Sequence, residues 1–176
     1  MRPPLDKERL IRFLEEFGTK IPGEGSIYLT GGATALLHGW REMTVDVDIK
    51  ADPEPQGYFE SIAKLKDSFP INIELASPEL FIPALPDWKQ RSLFIARHGK
   101  IDFYHYDLYS QAIAKLERGH ARDIDDVESM FQNELLDPSF LLDLFTQIEP
   151  KLIEHPSIEA SSLAKTIHDW CQQHTT

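Results

Sequence analysis

Two stretches decide the fold: Ser26-Ile27-Tyr28-Leu29-Thr30-Gly31-Gly32 and, after thirteen intervening residues, Asp46-Val47-Asp48 within Thr44-Val45-Asp46-Val47-Asp48-Ile49-Lys50. The first is a β-prone run halted by a glycine pair, and the Ala- and Leu-rich residues 33–39 that follow are helix formers. The order is therefore strand, glycine turn, helix. The second stretch alternates with period two. It predicts a strand in which Val45, Val47 and Ile49 bury one face while Asp46 and Asp48 stand side by side on the other.

Working outward, Leu10, Ile11, Phe13, Leu14 and Phe17 have helical spacing behind Asp6, a candidate N-cap, with Gly18 as the expected stop. Downstream come a Pro-punctuated loop (52–57), a helix (58–68), a third strand (71–75) and an irregular segment broken by Pro78, Pro83 and Pro86. Strands 92–97 and 100–106 then flank His98-Gly99 as a two-residue hairpin. From residue 107 only helical periodicity remains, over about 108–117, 124–133, 139–148 and 158–171. The expected architecture is α+β: a mixed sheet of about five strands flanked by helices up to residue 106, with an all-helical part (107–176) packed on it as one compact unit.

The chain has 176 residues, 41% of them hydrophobic, enough for one core and too many for a disordered chain. Acidic residues outnumber basic ones 29 to 18, giving a formal charge of −11. Residues 1–100 carry −2 of that and residues 101–176 carry −9, the wrong sign for a broad duplex-binding surface. No apolar run approaches membrane-spanning length and no apolar stretch follows the first charges, so neither a membrane partner nor a secretory signal is expected, and the cytoplasm is the expected compartment. Cys171 is the single cysteine, which excludes an internal disulfide and a thiolate zinc module. His38, His98, His105 and His120 lack metal-ligand spacing.

The carboxylates carry the chemistry. Two like charges at i and i+2 of a strand repel, and aspartate is disfavoured there. A divalent cation would compensate: Mg²⁺ takes oxygen ligands, commonly one or two carboxylates completed by substrate phosphates. The plainer reading is a strand face open to water. Gly31-Gly32 would let a phosphate approach the backbone at a helix start, with Thr30 and Thr34 as hydroxyl donors. Asp102, in Ile101-Asp102-Phe103, is the expected third carboxylate if its strand lies beside the acidic one, and Glu74 competes for that place. Three converging acids could hold two divalent ions.

Gly31-Gly32, the thirteen-residue spacing, Asp46-Val47-Asp48 with apolar flanks and the later Asp102 strand together resemble the active-site signature of the polymerase-β-type nucleotidyltransferase superfamily. Leu29-Thr30-Gly31-Gly32-Ala33-Thr34-Ala35 with Gly39-Trp40-Arg41-Glu42-Met43-Thr44-Val45-Asp46-Val47-Asp48 is similar to a short bacterial branch related to AbiEii-like toxin nucleotidyltransferases. The resemblance spans residues 26–126. Lys115-Leu116, Arg118 and Arg122-Asp123 with Asp126 are similar to the segment that follows the catalytic core in those proteins.

The resemblance implies a Mg²⁺-dependent enzyme, with two ions and Mn²⁺ as a substitute, that moves a nucleoside monophosphate from an NTP to a hydroxyl acceptor such as tRNA or a protein. It implies that Asp46 and Asp48 bind both metals, that Asp102 binds the nucleophile-side metal, and that Gly31 and Gly32 cradle phosphates. Lys115 would neutralise charge on the leaving pyrophosphate, Arg118 and Arg122 would hold triphosphate or acceptor, and Asp123 would fix these cations or start a helix. Arg41 is a further candidate nucleotide contact. An antitoxin or a second copy of the chain is the implied protein partner. The competing readings are a non-catalytic nucleotide-binding regulator and a metal-dependent phosphodiesterase.

Overall fold

The computed structural model describes residues 2–176. The chain forms two compact units, one comprising the residues up to Ser77 together with Ser92–Tyr106, the other Pro78–Arg91 together with Asp107–Thr176. The architecture is α+β with a five-stranded mixed sheet, as the sequence leads one to expect.

In the first unit the strands are β1 (Gly25–Thr30), β2 (Asp46–Ala51), β3 (Asn72–Leu75), β4 (Leu93–His98) and β5 (Ile101–His105), in the order β3-β2-β1-β5-β4. β1 runs antiparallel to β2 and parallel to β5, β2 is parallel to β3, and β4 is antiparallel to β5. Ile27, Leu29, Val47, Ile49, Ile73 and Phe103 fill one core with α1 (Lys7–Lys20) and α3 (Tyr58–Ser68). The alternate positions Tyr28, Thr30, Asp46, Asp48, Lys50, Asp102 and Tyr104 belong to the other face. Val45 departs from the expected burial: it precedes β2 and is 54% exposed.

Asp6 caps α1 by accepting from the Arg9 amide at 2.8 Å, and Leu10, Phe13, Leu14 and Phe17 form its buried stripe. The helix does not stop at Gly18. It continues to Lys20 because Gly18 is a packing residue, where a Cβ would stand 2.5 Å from the His98 Cβ. The β4–β5 turn is Gly99-Lys100, one residue later than the spacing suggests, with Gly99 at φ +60°.

The second unit holds the one-turn α4 (Trp88–Arg91), α5 (Leu108–Arg118), α6 (Ala121–Gln132), α7 (Pro138–Ile148) and α8 (Ala160–His174), with short 3-10 turns at Pro78–Leu80 and Glu149–Glu154. Asp107, Asp137 and Glu159 each accept amide hydrogen bonds at a helix start. In the Pro-rich segment Ile82 and Leu85 are buried, and Phe81 lies beneath the Arg118 guanidinium, 5.8 Å from ring centre to Cζ. Among the described residues no helix is long and apolar enough to cross a membrane.

Candidate functional site

Asp46 and Asp48 are half-buried neighbours on the same face of β2. Their repulsion is partly met by an amide the sequence reading passed over. Asn72, opposite Asp46 in the parallel β2–β3 register, donates from Nδ2 to Asp46 Oδ1 at 2.6 Å and to Glu74 Oε1 at 3.0 Å. The signal was present in Ile71-Asn72-Ile73-Glu74-Leu75, whose alternation puts Asn72 and Glu74 on one face. Thr44, also passed over, donates its hydroxyl to the Asp46 carbonyl at 3.0 Å and so fixes the entry to the strand.

Thr30 sits opposite Asp48 across the antiparallel β1–β2 pair, and the chain turns directly into α2 (Gly31–His38). Gly31 takes φ +62°, and a Cβ on it would stand 2.6 Å from Asp48 Oδ2. The left-handed backbone favours glycine, and any side chain there would displace the Asp48 carboxylate. A Cβ on Gly32 would collide with the Thr44 hydroxyl and lie 3.4 Å from the Arg41 Nη1. The glycine turn thus lies against Asp48 on one side and Thr44 and Arg41 on the other.

Thr34 is not available to a nucleotide. It is fully buried, its hydroxyl 3.3 Å from the Leu29 carbonyl, to which it donates, and 3.1 Å from His105 Nδ1. His105 is buried and packs against His38, ring centres 4.4 Å apart. Burial, then the adjacent His38, pushes the His105 pKa down to about 3, and burial followed by the Lys7 charge lowers that of His38. These rings orient α2 against β1 and β5.

Asp102 lies elsewhere. Its strand is separated from β2 by β1, and it sits opposite Ser26, four positions along β1 from Thr30. Its carboxylate pairs with Arg97 at 2.9 Å. The expected convergence of Asp46, Asp48 and Asp102 is therefore replaced by a different neighbourhood, with Glu74 directly beside Asp48. Strand length favoured Asp102, but register decides proximity. Among the described residues no group of three or more His, Cys, Asp or Glu is drawn together as a metal cage. The donors present are two hard carboxylates on one face, one of them against the glycine turn. That set fits an ion such as Mg²⁺, which takes its remaining ligands from water and substrate phosphate.

The basic residues of the second motif lie in the second unit, where their charges are met by acids. Lys115 is 5% exposed, with Nζ 2.7 Å from Asp126 Oδ2 and 3.5 Å from Asp123 Oδ1. Arg118 grips Asp123 with both arms of its fork, Nη2 to Oδ1 at 2.6 Å and Nε to Oδ2 at 3.2 Å. Burial opposes ionisation of Asp123, but Arg118 and Lys115 outweigh it and the net pKa is lowered. Lys115 thus joins α5 to α6 and does not present its ammonium to a phosphate. Asp123 is not a helix N-cap either, since α6 starts at Ala121 behind His120. Arg122 is exposed on the first turn of α6.

A family model described as a nucleotidyltransferase of unknown function (DUF6036) matches residues 9–170. No curated protein and no solved structure matches the chain.

Proposed function

Because the chain belongs to this nucleotidyltransferase family, we propose that it transfers a nucleoside monophosphate from an NTP to a hydroxyl acceptor. In that reaction the acceptor oxygen bonds to the α-phosphorus, the bond from that phosphorus to the bridging oxygen breaks, and pyrophosphate leaves with the electron pair. The hydroxyl proton passes to a carboxylate or to solvent. The observation that carries the reading is the Asp48 carboxylate lying in the space a Cβ on Gly31 would fill. It sets an acidic pair against a glycine turn at a helix start, the two features that hold opposite ends of a metal-bound phosphate.

Asp46 and Asp48 are the residues that would hold Mg²⁺, which when bound supplies charge neutralisation on phosphate and acidifies an attacking hydroxyl. Asn72 keeps Asp46 oriented. Gly31 and Gly32 let the start of α2 approach Asp48 and Thr44 closely, and Arg41, beside Gly32, supplies a cation. Glu74 is the carboxylate proposed for the third place, as the register neighbour of Asp48. Lys115, Arg118 and Asp123 have a structural part in this reading, holding α6 on α5.

The test is incubation with each α-labelled NTP, Mg²⁺ and acceptors including tRNA and protein. Labelled acceptor with stoichiometric pyrophosphate supports transfer. Free monophosphate without labelled acceptor would make the protein a phosphodiesterase, and nucleotide binding without either product would make it a regulator. The resemblance to toxin nucleotidyltransferases extends the proposal to growth arrest on expression, which Asp48→Ala should abolish.

A further inference from the structure

Ahead of α1 the chain reads Arg2-Pro3-Pro4-Leu5. Each proline fixes its own φ and drives the residue before it to extended backbone, so the segment is stiff. One end is anchored. The Leu5 side chain is buried in the core, Asp6 caps α1, and Arg9 of that helix donates from Nη1 to the Pro4 carbonyl at 2.9 Å. From that anchor the segment reaches the starts of β2 and β3, the strands that carry Asp46, Asp48 and Glu74. Leu5 and Thr44 exchange both backbone hydrogen bonds, Leu5 N to the Thr44 carbonyl at 2.7 Å and Thr44 N to the Leu5 carbonyl at 2.9 Å. Arg2 donates from Nη1 to the carbonyl of Ile71 at 2.7 Å, immediately before β3.

Resting on the metal-bound transfer reading above, we propose that Arg2–Leu5 is a positioning strap, which holds the entries of β2 and β3 in the relation at which the acidic pair takes its ion. Thr44 is the link to β2. Leu5 holds its backbone, its hydroxyl donates to the Asp46 carbonyl at 3.0 Å, and a Cβ on Gly32 would collide with that same hydroxyl. A shift of Thr44 therefore disturbs Asp46 and the glycine turn together. Arg2 is the link to β3. That strand has four residues, lies at the sheet edge and is parallel to β2, the less stable ladder per residue, so a charged donor at its start adds to what holds it in place. Asn72, the residue after Ile71, spans Asp46 Oδ1 at 2.6 Å and Glu74 Oε1 at 3.0 Å. If β3 slips along β2, the amide loses Asp46 and the carboxylate is free to turn. Carboxylates oriented by hydrogen-bonded neighbours bind metal more tightly than carboxylates that must first be ordered. Arg2 and Leu5 act through Ile71 and Thr44, and so are positioning residues.

Binding of Mn²⁺ alone to the full chain, read by electron paramagnetic resonance beside thermal midpoints and transfer from α-labelled NTP, tests this. Arg2→Ala should raise the Mn²⁺ Kd about threefold, the worth of one hydrogen bond. Thr44→Val should raise it about tenfold, and Arg2→Lys and Thr44→Ser should each recover most of the loss. Arg2 is exposed, so its replacement probes the strap without opening the core. Lower midpoints with an unchanged Mn²⁺ Kd would make the segment a stability device and overturn the proposal, as would a wild type that does not bind Mn²⁺. Transfer by the wild type, with Arg2→Ala binding Mn²⁺ equally well, would overturn the strap and leave the transfer reading standing. Mn²⁺ affinity that follows the strap, with no labelled product from any NTP, would instead retain the strap and sink the transfer reading.

Discussion

The Asp48 carboxylate lies 2.6 Å from the point where a Cβ on residue 31 would have to be. Gly31→Ala therefore combines a collision at the acidic pair with a left-handed backbone that costs about 1–2 kcal/mol for a residue with a side chain. Expected is a modest fall in the urea midpoint and a loss of transfer of at least tenfold, because Asp48 must move. A variant as active as wild type would show that the carboxylate has no part in the reaction.

Register makes opposite predictions for the two carboxylates that competed for the third place. Glu74→Gln should lower transfer and weaken its Mg²⁺ dependence, while Asp102→Asn, which loosens only the exposed pair with Arg97, should leave transfer within about twofold. Steady-state rates over a Mg²⁺ titration compare them.

Lys115 is buried against Asp126 and Asp123. Lys115→Met leaves two buried carboxylates short of a cation, and removing one partner of such a pair costs about 3–5 kcal/mol. Adding Asp126→Leu should recover much of the loss in a urea titration, since Asp123 keeps Arg118. If Lys115→Met were as stable as wild type yet inactive, the ammonium would belong to the chemistry after all.

His105 is held neutral by burial beside His38, with a folded pKa of about 3 against the ordinary 6.5. The unfolded chain binds the extra proton first as pH falls, so the stabilisation is complete above about 6.5 and is lost progressively towards 3. Equilibrium unfolding at pH 5 and 7.5 should show this decline, and His105→Gln should flatten it. An unchanged slope would place the titrating group elsewhere.

How far the chain could be read as a sequence depends on the kind of information each feature needs. The strand, glycine turn and acidic strand were legible because period two and the glycine pair are local signals, and Asp6 capped its helix as its position suggested. Gly18 misled because a stop signal and a packing glycine look alike until β4 is seen beside it. Asp102 misled for a deeper reason. Its flanks announce a strand but not which strand lies alongside or in what register, and the parallel β2–β3 pair gives Asp48 the neighbour Glu74 instead. Thr34 and Lys115 have residue types suited to phosphates, yet one hydroxyl is directed to Leu29 and one ammonium to Asp126, contacts that only tertiary packing creates.

Action of Asp46 and Asp48 on a nucleotide is tested most directly by single-turnover transfer from α-labelled NTP in Mg²⁺, run on wild type, Asp46→Asn and Asp48→Asn matched for thermal stability. The prediction is pyrophosphate release with label on an acceptor for wild type and a fall of at least a hundredfold, on the order of 3 kcal/mol, for each variant. Transfer by either variant at the wild-type rate would contradict it.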